Sequence, residues 1–234
     1  MKERLLVEGV KGRVREVYEK LDEWPHGWPH VESVTHTIRG LGDTLGLSGE
    51  ERETYALAAY CHDLGRLGEQ EAKKRAERSA PHAYLSVAPT RRILRESGVP
   101  EGERLSRIIH TVRVHSDWHY EGNEPMAKTL IWADRKDSLG AWGLLRTAQW
   151  HLKRFGLEIN PPRCDDTEGI MREAKRTRGW IRDESRINPE IEHVFKRLLG
   201  FVLEWEDDER DEVQEELTRR EFKYTKEARE ELFG

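Results

Sequence analysis

The feature that most constrains this chain is the spacing of its apolar residues, which recurs at three and four positions in segment after segment. Nowhere does it alternate long enough to make a strand. In residues 29–46, Val31, Val34, Ile38, Leu41 and Leu45 fall at intervals of three, four, three and four, which is one stripe of an amphipathic helix. Pro29 suits its first turn. Ser48 and Glu51 have the spacing of a capping box. A second helix is therefore expected to open there, run through the Ala-rich stretch to Cys61 and end near Gly65 or Gly68. Further helices are expected at 81–97, stopped by Gly98 and Pro100, and at 103–116, 125–140 and 141–155. The pattern predicts an all-α protein.

At 234 residues the chain is long for one average domain and short for two, which suggests one compact body with additions at its ends. The segment from Gly156 to Thr167 carries Pro161 and Pro162 and is expected to separate a helical body, 1–156, from a helical C-terminal extension, 157–234. The extension holds an apolar helix around Ile191 to Trp205. An acidic run follows from Glu204 to Glu216 with Arg210 as its one base, the composition of a solvated helix face. Charged residues reach 36% against about 25% in an average domain, so the surface is heavily charged. The net charge of −5 gives no general basic coat, and no nucleic-acid partner is expected. Two cysteines, Cys61 and Cys164, are too few for a disulfide framework. With no long apolar run, no signal sequence and no lipidation motif, the expectation is a cytoplasmic protein without membrane contact.

His62 and Asp63 are adjacent at the end of the Ala-rich helix, in a setting where two such groups are costly to bury unless something satisfies both. A divalent metal would do so. Imidazole nitrogen with carboxylate oxygen suits Zn, Mn, Fe or Co, and a distant His and Asp would complete four ligands with positions left for water. His30 and Asp134 are the candidates for those partners. Each residue alone also has a structural explanation: a hydrogen-bonded core histidine, or an Asp134 that pairs with Arg135 or caps a turn.

Their order along the chain adds more. His30 is followed by HDLGR at 62–66, by His82 and Ser86 in the spacing H-x-x-x-S, by VRVHS at 112–116, and by LIWADRKDSLGAWG from Leu130. Over roughly 26–146 this resembles the HD superfamily of metal-dependent phosphohydrolases, whose signature is a His, a His-Asp doublet and a later Asp on separate helices. HDLGR is similar to the family's HDIGK/R, and ADRKDSLGAWG is similar to the ADRLDALGAIG of one bacterial and archaeal branch. The resemblance implies an HD-domain helical bundle whose metal ligands are His30, His62, Asp63 and Asp134, with the extension packing on it. The implied cofactor is a divalent transition metal (Mn, Fe, Co, Ni or Zn), one or two per chain. Gly27 departs from the branch, which often has an Asp three residues before the first His. Several branches hold a second metal, and here His82 and His115 stand in the matching contexts, with Asp63 bridging. His110 competes with His115, but five helical residues turn about 500° and leave the two some 140° apart, so both do not easily face one site. His115 is preferred.

The activity implied is hydrolysis of a small phosphorylated compound, a nucleotide foremost, by metal-activated water attack on phosphorus. Asp63 would orient that water or bridge two metals. Arg66 stands where the phosphate-contacting base of HDIGK/R stands and is a candidate catalytic and substrate-binding residue. Lys73, with Lys74, Arg75 and Arg78 between Glu69 and His82, would belong to a lid over the phosphate or to an exposed loop or short helix of mixed charge. Arg113 is a further phosphate candidate and Trp118 a base-stacking one. His26, His36, His119, His151 and His193 are expected to be structural or on the surface, and Cys61 a buried packing residue. Two rival readings remain: a di-iron oxygenase of the same fold, which needs the full His82 and His115 set, and a catalytically silent nucleotide-binding regulatory module, which the complete primary ligand set disfavours.

Overall fold

The computed structural model describes residues 2–21, 26–117, 120–137, 140–160, 162–163, 166–185, 187–188 and 190–191. Among them every regular element is helical and no strand occurs, as the apolar spacing requires. No helix of the described residues is long and apolar enough to cross a membrane. Internal contacts group the chain into two units, 1–134 and 135–234. That division falls ahead of the loop at 156–167 where the sequence suggested a boundary.

The first unit is organised around α3 (Gly49–Cys61), which packs against α1 (Lys2–Tyr18), α2 (Trp28–Leu41) and α6 (Glu103–Val114). Its residues Thr54 to Cys61 are all buried, so it has no solvent stripe to sacrifice. Three alanines in that stretch let neighbouring helices approach closely. The expected capping box is formed: Glu51 N donates to Ser48 Oγ at 3.3 Å, and Ser48 N to Glu51 Oε2 at 2.9 Å. On α2 the stripe Val31, Val34, Ile38 and Leu41 faces the core. The helix stops at Leu41, short of the expected 46, because Gly42 begins a turn that ends in Gly46 at φ +65°. Leu45 still packs on the core from that turn.

Two further differences from the sequence reading bear on function. First, α3 ends at Cys61. The chain turns at 62–65 and restarts as α4 (Arg66–Lys74), whereas the sequence reading ran the first helix to Gly65 or Gly68 and left the segment from Glu69 as a lid, an exposed loop or a short helix. Gly65 explains the turn. A Cβ there would lie 2.1 Å from the carbonyl oxygen of His82 and 2.7 Å from the amide of Ser86, so only glycine lets the doublet segment press against the start of α5 (His82–Glu96). Second, α1 is a full helix that the pattern did not single out. Val7, Val10, Val14 and Tyr18 line its buried face, while Gly9, Gly12 and the valines give it weak intrinsic propensity. It joins the core through Tyr18 and Trp28, whose ring centroids are 6.4 Å apart, and Trp28 stacks on Tyr60 at 6.0 Å. The unit closes with α6 and α7 (Pro125–Lys136), the latter ending four residues before the expected 140.

In the second unit, α8 (Gly140–Leu152) and α9 (Thr167–Ser185) pack together, burying Leu145, Leu152, Ala174 and Ile181. A buried ion pair joins Arg146 to Asp137, whose backbone carbonyl accepts from the same Arg146 nitrogen at 3.2 Å. The sequence reading did not single out α9. The helix expected around Ile191 to Trp205 lies, except for Ile191, outside the described residues, as do the acidic run and Cys164.

Candidate metal centre

Helix ends converge within the first unit. α2 brings His30 in its first turn, α4 starts with Arg66 and α5 starts with His82, while α3 and α6 end just before His62 and His115. Asp134 comes from the last turn of α7. The turn after α3 carries Asp63 into the middle of these five histidine- and carboxylate-bearing segments.

The imidazoles are held by their outer nitrogens. His62 Nδ1 donates to the carbonyl of Ala59 and His115 Nδ1 to that of Val112, each at 2.7 Å. A ring that donates from Nδ1 presents a bare lone pair at Nε2. Those Nε2 atoms face other nitrogens: His62 Nε2 is 3.1 Å from His30 Nε2, and His115 Nε2 is 3.2 Å from His82 Nε2. Asp63 supplies both clusters. Its Oδ1 lies 3.2 Å from His82 Nε2 and 3.4 Å from His115 Nε2, yet is buried without a hydrogen-bond partner. Its Oδ2 lies 3.7 Å from His30 Nε2 and 3.9 Å from His62 Nε2. Asp134 Oδ1 completes that side, 3.3 Å from His30 and 3.9 Å from His62.

Lone pairs aimed at one another across three ångströms repel unless a proton or a cation stands between them. Two donors on one ion at about 2.1 Å and a right angle are about 3 Å apart, and wider angles give up to about 4 Å. The observed separations fall in that interval on both sides of Asp63. The donor chemistry is mixed nitrogen and oxygen, which suits borderline divalent transition metals. His30, His62 and Asp134 form one group able to hold an ion, and His62, Asp63 and His115 form an overlapping one.

Electrostatics agree with this arrangement. Burial pushes His62 down to about 4, so it is neutral and ligand-ready near pH 7. Burial also lowers His82. Burial alone would raise Asp63, but the Arg66 guanidinium and the histidines around it outweigh that and hold the carboxyl well below its ordinary range. Asp134 is likewise held low against burial by the neighbouring His30 and His62. His115 behaves oppositely: burial would lower it, but Asp63 raises it, so without an ion a proton is the competing occupant.

Around this centre lies a supporting layer. Arg66 Nε donates to Asp63 Oδ2 at 3.3 Å and Nη1 to Glu69 Oε2 at 3.1 Å. Glu69 Oε1 accepts from the His82 amide at 2.8 Å and lies 3.5 Å from His82 Nδ1, fixing that imidazole from outside. Ser86 explains the H-x-x-x-S spacing: its Oγ accepts from Gly65 N at 2.8 Å and donates to the His82 carbonyl at 2.9 Å. Tyr18 accepts from the Asp63 amide at 3.1 Å.

All six expected metal-ligand candidates, His30, His62, Asp63, Asp134, His82 and His115, are thus brought together, with Arg66 beside them. His110 is turned away, its Nε2 3.0 Å from the hydroxyl of Tyr120. Lys73 and Arg113 are exposed on α4 and α6. Lys74 and Arg75 lie near Glu71 and Glu77. Trp118 lies outside the described residues. Cys61 is fully buried, its thiol pushed up to about 12 by burial, as a packing residue should be. The sequence reading missed three participants. Glu69 was legible as the residue one helical turn after Arg66. His26, set aside as structural or on the surface, has Nδ1 3.8 Å from Asp63 Oδ2. Tyr18 gave no local signal, since its contact spans 45 positions.

Comparison with curated proteins and with solved structures returns no match. Comparison with protein families matches residues 27–141 to the HD domain, a span that holds every ligand candidate from His30 to Asp134. Residues 27–141 of this chain belong to the HD domain family.

Proposed function

We propose that this chain is a metal-dependent phosphohydrolase that acts on a small phosphorylated compound, with a nucleotide as the expected substrate class, through a two-metal site. The observation that carries the proposal is Asp63, whose two carboxylate oxygens face separate clusters of imidazole nitrogens. His30, His62, Asp134 and Asp63 Oδ2 would hold one ion, and His82, His115 and Asp63 Oδ1 the other. Bound divalent ions supply Lewis acidity toward a phosphoryl oxygen and lower the pKa of water.

The chain's own groups do the rest. Asp63, Asp134 and Glu69 against Arg66 leave the cluster two negative charges in excess, which would repel a phosphate; two divalent ions reverse that balance to two positive. Arg66 spends Nε and Nη1 on Asp63 and Glu69, and its Nη2 makes no hydrogen bond to any described residue. That edge is available to a phosphoryl oxygen. Glu69 and the carbonyls of Ala59 and Val112 keep protons on the outer nitrogens of His82, His62 and His115, so the inner nitrogens stay bare.

The His82 and His115 set that a di-iron oxygenase needs is also complete, which keeps that reading as the second. Nucleoside mono-, di- and triphosphates, cyclic nucleotides and dinucleotides assayed with Mn, Co, Ni, Mg and Fe decide between them. Phosphate release supports the hydrolase, whereas iron-specific oxygen consumption without phosphate release supports the oxygenase.

A further inference from the structure

We infer that Glu69 is the positioning residue of the second ion: it holds His82 from outside the cluster, so its loss releases the ion on the His82 side and leaves the one on the His30 side in place. The inference rests on the two-metal reading above and adds that the two ions depend on different supports.

The imidazoles of the cluster are not held alike. Behind His62 and His115 stand backbone carbonyls of their own helices, those of Ala59 and Val112, each 2.7 Å from Nδ1. Behind His82 stands a side chain from another helix, Glu69 of α4, whose Oε1 lies 3.5 Å from Nδ1. The same oxygen accepts from the His82 backbone amide at 2.8 Å. His82 is the first residue of α5, and Pro81 ahead of it provides no side-chain cap. Glu69 therefore supplies from α4 an acceptor that the start of α5 lacks, and by the same contact it fixes the residue that carries the ligand nitrogen. Arg66 Nη1 holds the other oxygen, Oε2, at 3.1 Å, which keeps Oε1 turned toward His82.

Glu69 acts through the ring and not on the ion. Its Oε1 approaches the Nδ1 side, whereas His82 faces the cluster through Nε2, 3.2 Å from Asp63 Oδ1 and 3.2 Å from His115 Nε2. A carboxylate behind a ligating histidine sets the orientation of the ring and the proton on its outer nitrogen. The donor sets make the effect one-sided. The His82 side consists of His82 Nε2, His115 Nε2 and Asp63 Oδ1, so a misplaced His82 removes one donor of three. The His30 side has His30, His62, Asp134 and Asp63 Oδ2, and among the described residues Glu69 reaches it only through Arg66, whose Nε donates to Asp63 Oδ2.

The test reads ions, not turnover. Wild type, Glu69→Gln and Glu69→Ala are titrated anaerobically with manganese. Calorimetry gives the affinity of each ion, and electron paramagnetic resonance separates a coupled pair from an isolated ion. Wild type should bind two ions and show the coupled spectrum. In Glu69→Ala the second ion should bind about 10- to 100-fold more weakly while the first keeps its affinity, so that manganese sufficient to pair the wild type gives an isolated-ion spectrum. Glu69→Gln keeps an acceptor for the His82 amide but loses the charge behind the ring, and should fall between the two. Wild-type affinity for the second ion in both variants overturns the inference, as it does in Glu69→Gln alone if Glu69→Ala does not fold. Equal weakening of both ions overturns it as well, since Glu69 would then support the whole cluster through Arg66. A wild type that binds fewer than two ions is a different failure, because it removes the two-metal reading before any substitution is made and takes the inference with it.

Discussion

The backbone amide of Asp63 donates a hydrogen bond, 3.1 Å long, to the hydroxyl of Tyr18, a buried side chain on a helix outside the matched span 27–141. α1 thus fixes the backbone from which the shared carboxylate projects. Burial raises the Tyr18 hydroxyl well above its ordinary pKa, so it stays protonated at any working pH. Tyr18→Phe strands the Asp63 N–H and is expected to cost about 1–3 kcal/mol of stability. It should also weaken metal binding. Val14→Ala, on the same buried face of α1, is the control. It removes packing but keeps the hydroxyl, so it should lower the melting temperature without changing metal affinity. Equal metal affinities in Tyr18→Phe and wild type would show that the tyrosine only packs.

Gly65 couples the doublet to the second cluster. A methyl group there meets the His82 carbonyl at 2.1 Å and the Ser86 amide at 2.7 Å, both backbone atoms that cannot swing aside. Gly65→Ala is therefore expected to destabilise the protein by about 2 kcal/mol or more and to displace His82. Thermal melting with metal titration checks this. A variant with unchanged melting temperature and metal content would mean that α5 is free to move.

Arg66 links Asp63 to Glu69 and keeps 25% of its side-chain surface open to solvent. Arg66→Ala should lower kcat/KM at least about tenfold, on the order of 1.4 kcal/mol. Arg66→Lys should recover little, because a single ammonium cannot serve both carboxylates as the fork does. Metal analysis runs alongside the kinetics: loss of metal in Arg66→Ala would make its main role the support of Asp63.

In the metal-free protein, His62, His82 and His26 are held below their ordinary values mainly by burial, and Asp63 and Asp134 are held low by their partners. As pH falls from about 6.5 toward the His62 value of about 4, the unfolded chain takes up protons that the folded one refuses, so stability falls. His115, raised by Asp63, works in the other direction: its contribution is present at low pH and fades as pH rises through its folded value. The depressed groups outnumber it, and the melting temperature without metal should drop between pH 7 and 5. A flat or rising profile would contradict this charge assignment.

Helix type and most boundaries were legible because α2, α5 and α6 carry apolar residues at helical spacing and α3 an Ala-rich run, with local starts and stops such as the Ser48 and Glu51 box or Gly98 at φ +92°. Helix α1 was not, since two glycines and four valines give it little intrinsic propensity and it is held by burial of Val7, Val10, Val14 and Tyr18. The break between α3 and α4 depends on how closely α5 passes Gly65, a tertiary fact with no local signature. In the site, the ligand candidates stood out as chemically costly residues in familiar motif contexts. Their outer supports did not: Tyr18, Glu69 and His26 are ordinary residue types whose meaning depends on what folds against them.

Metal content per folded chain tests the central claim most directly. Wild type reconstituted anaerobically with manganese or iron should hold about two ions. His82→Ala and His115→Ala should each retain about one, held by His30, His62, Asp63 and Asp134, whereas Asp63→Ala, which strips a donor from both clusters, should retain essentially none. A wild type that binds no ion, or an Asp63→Ala variant that keeps the wild-type complement, would contradict the account.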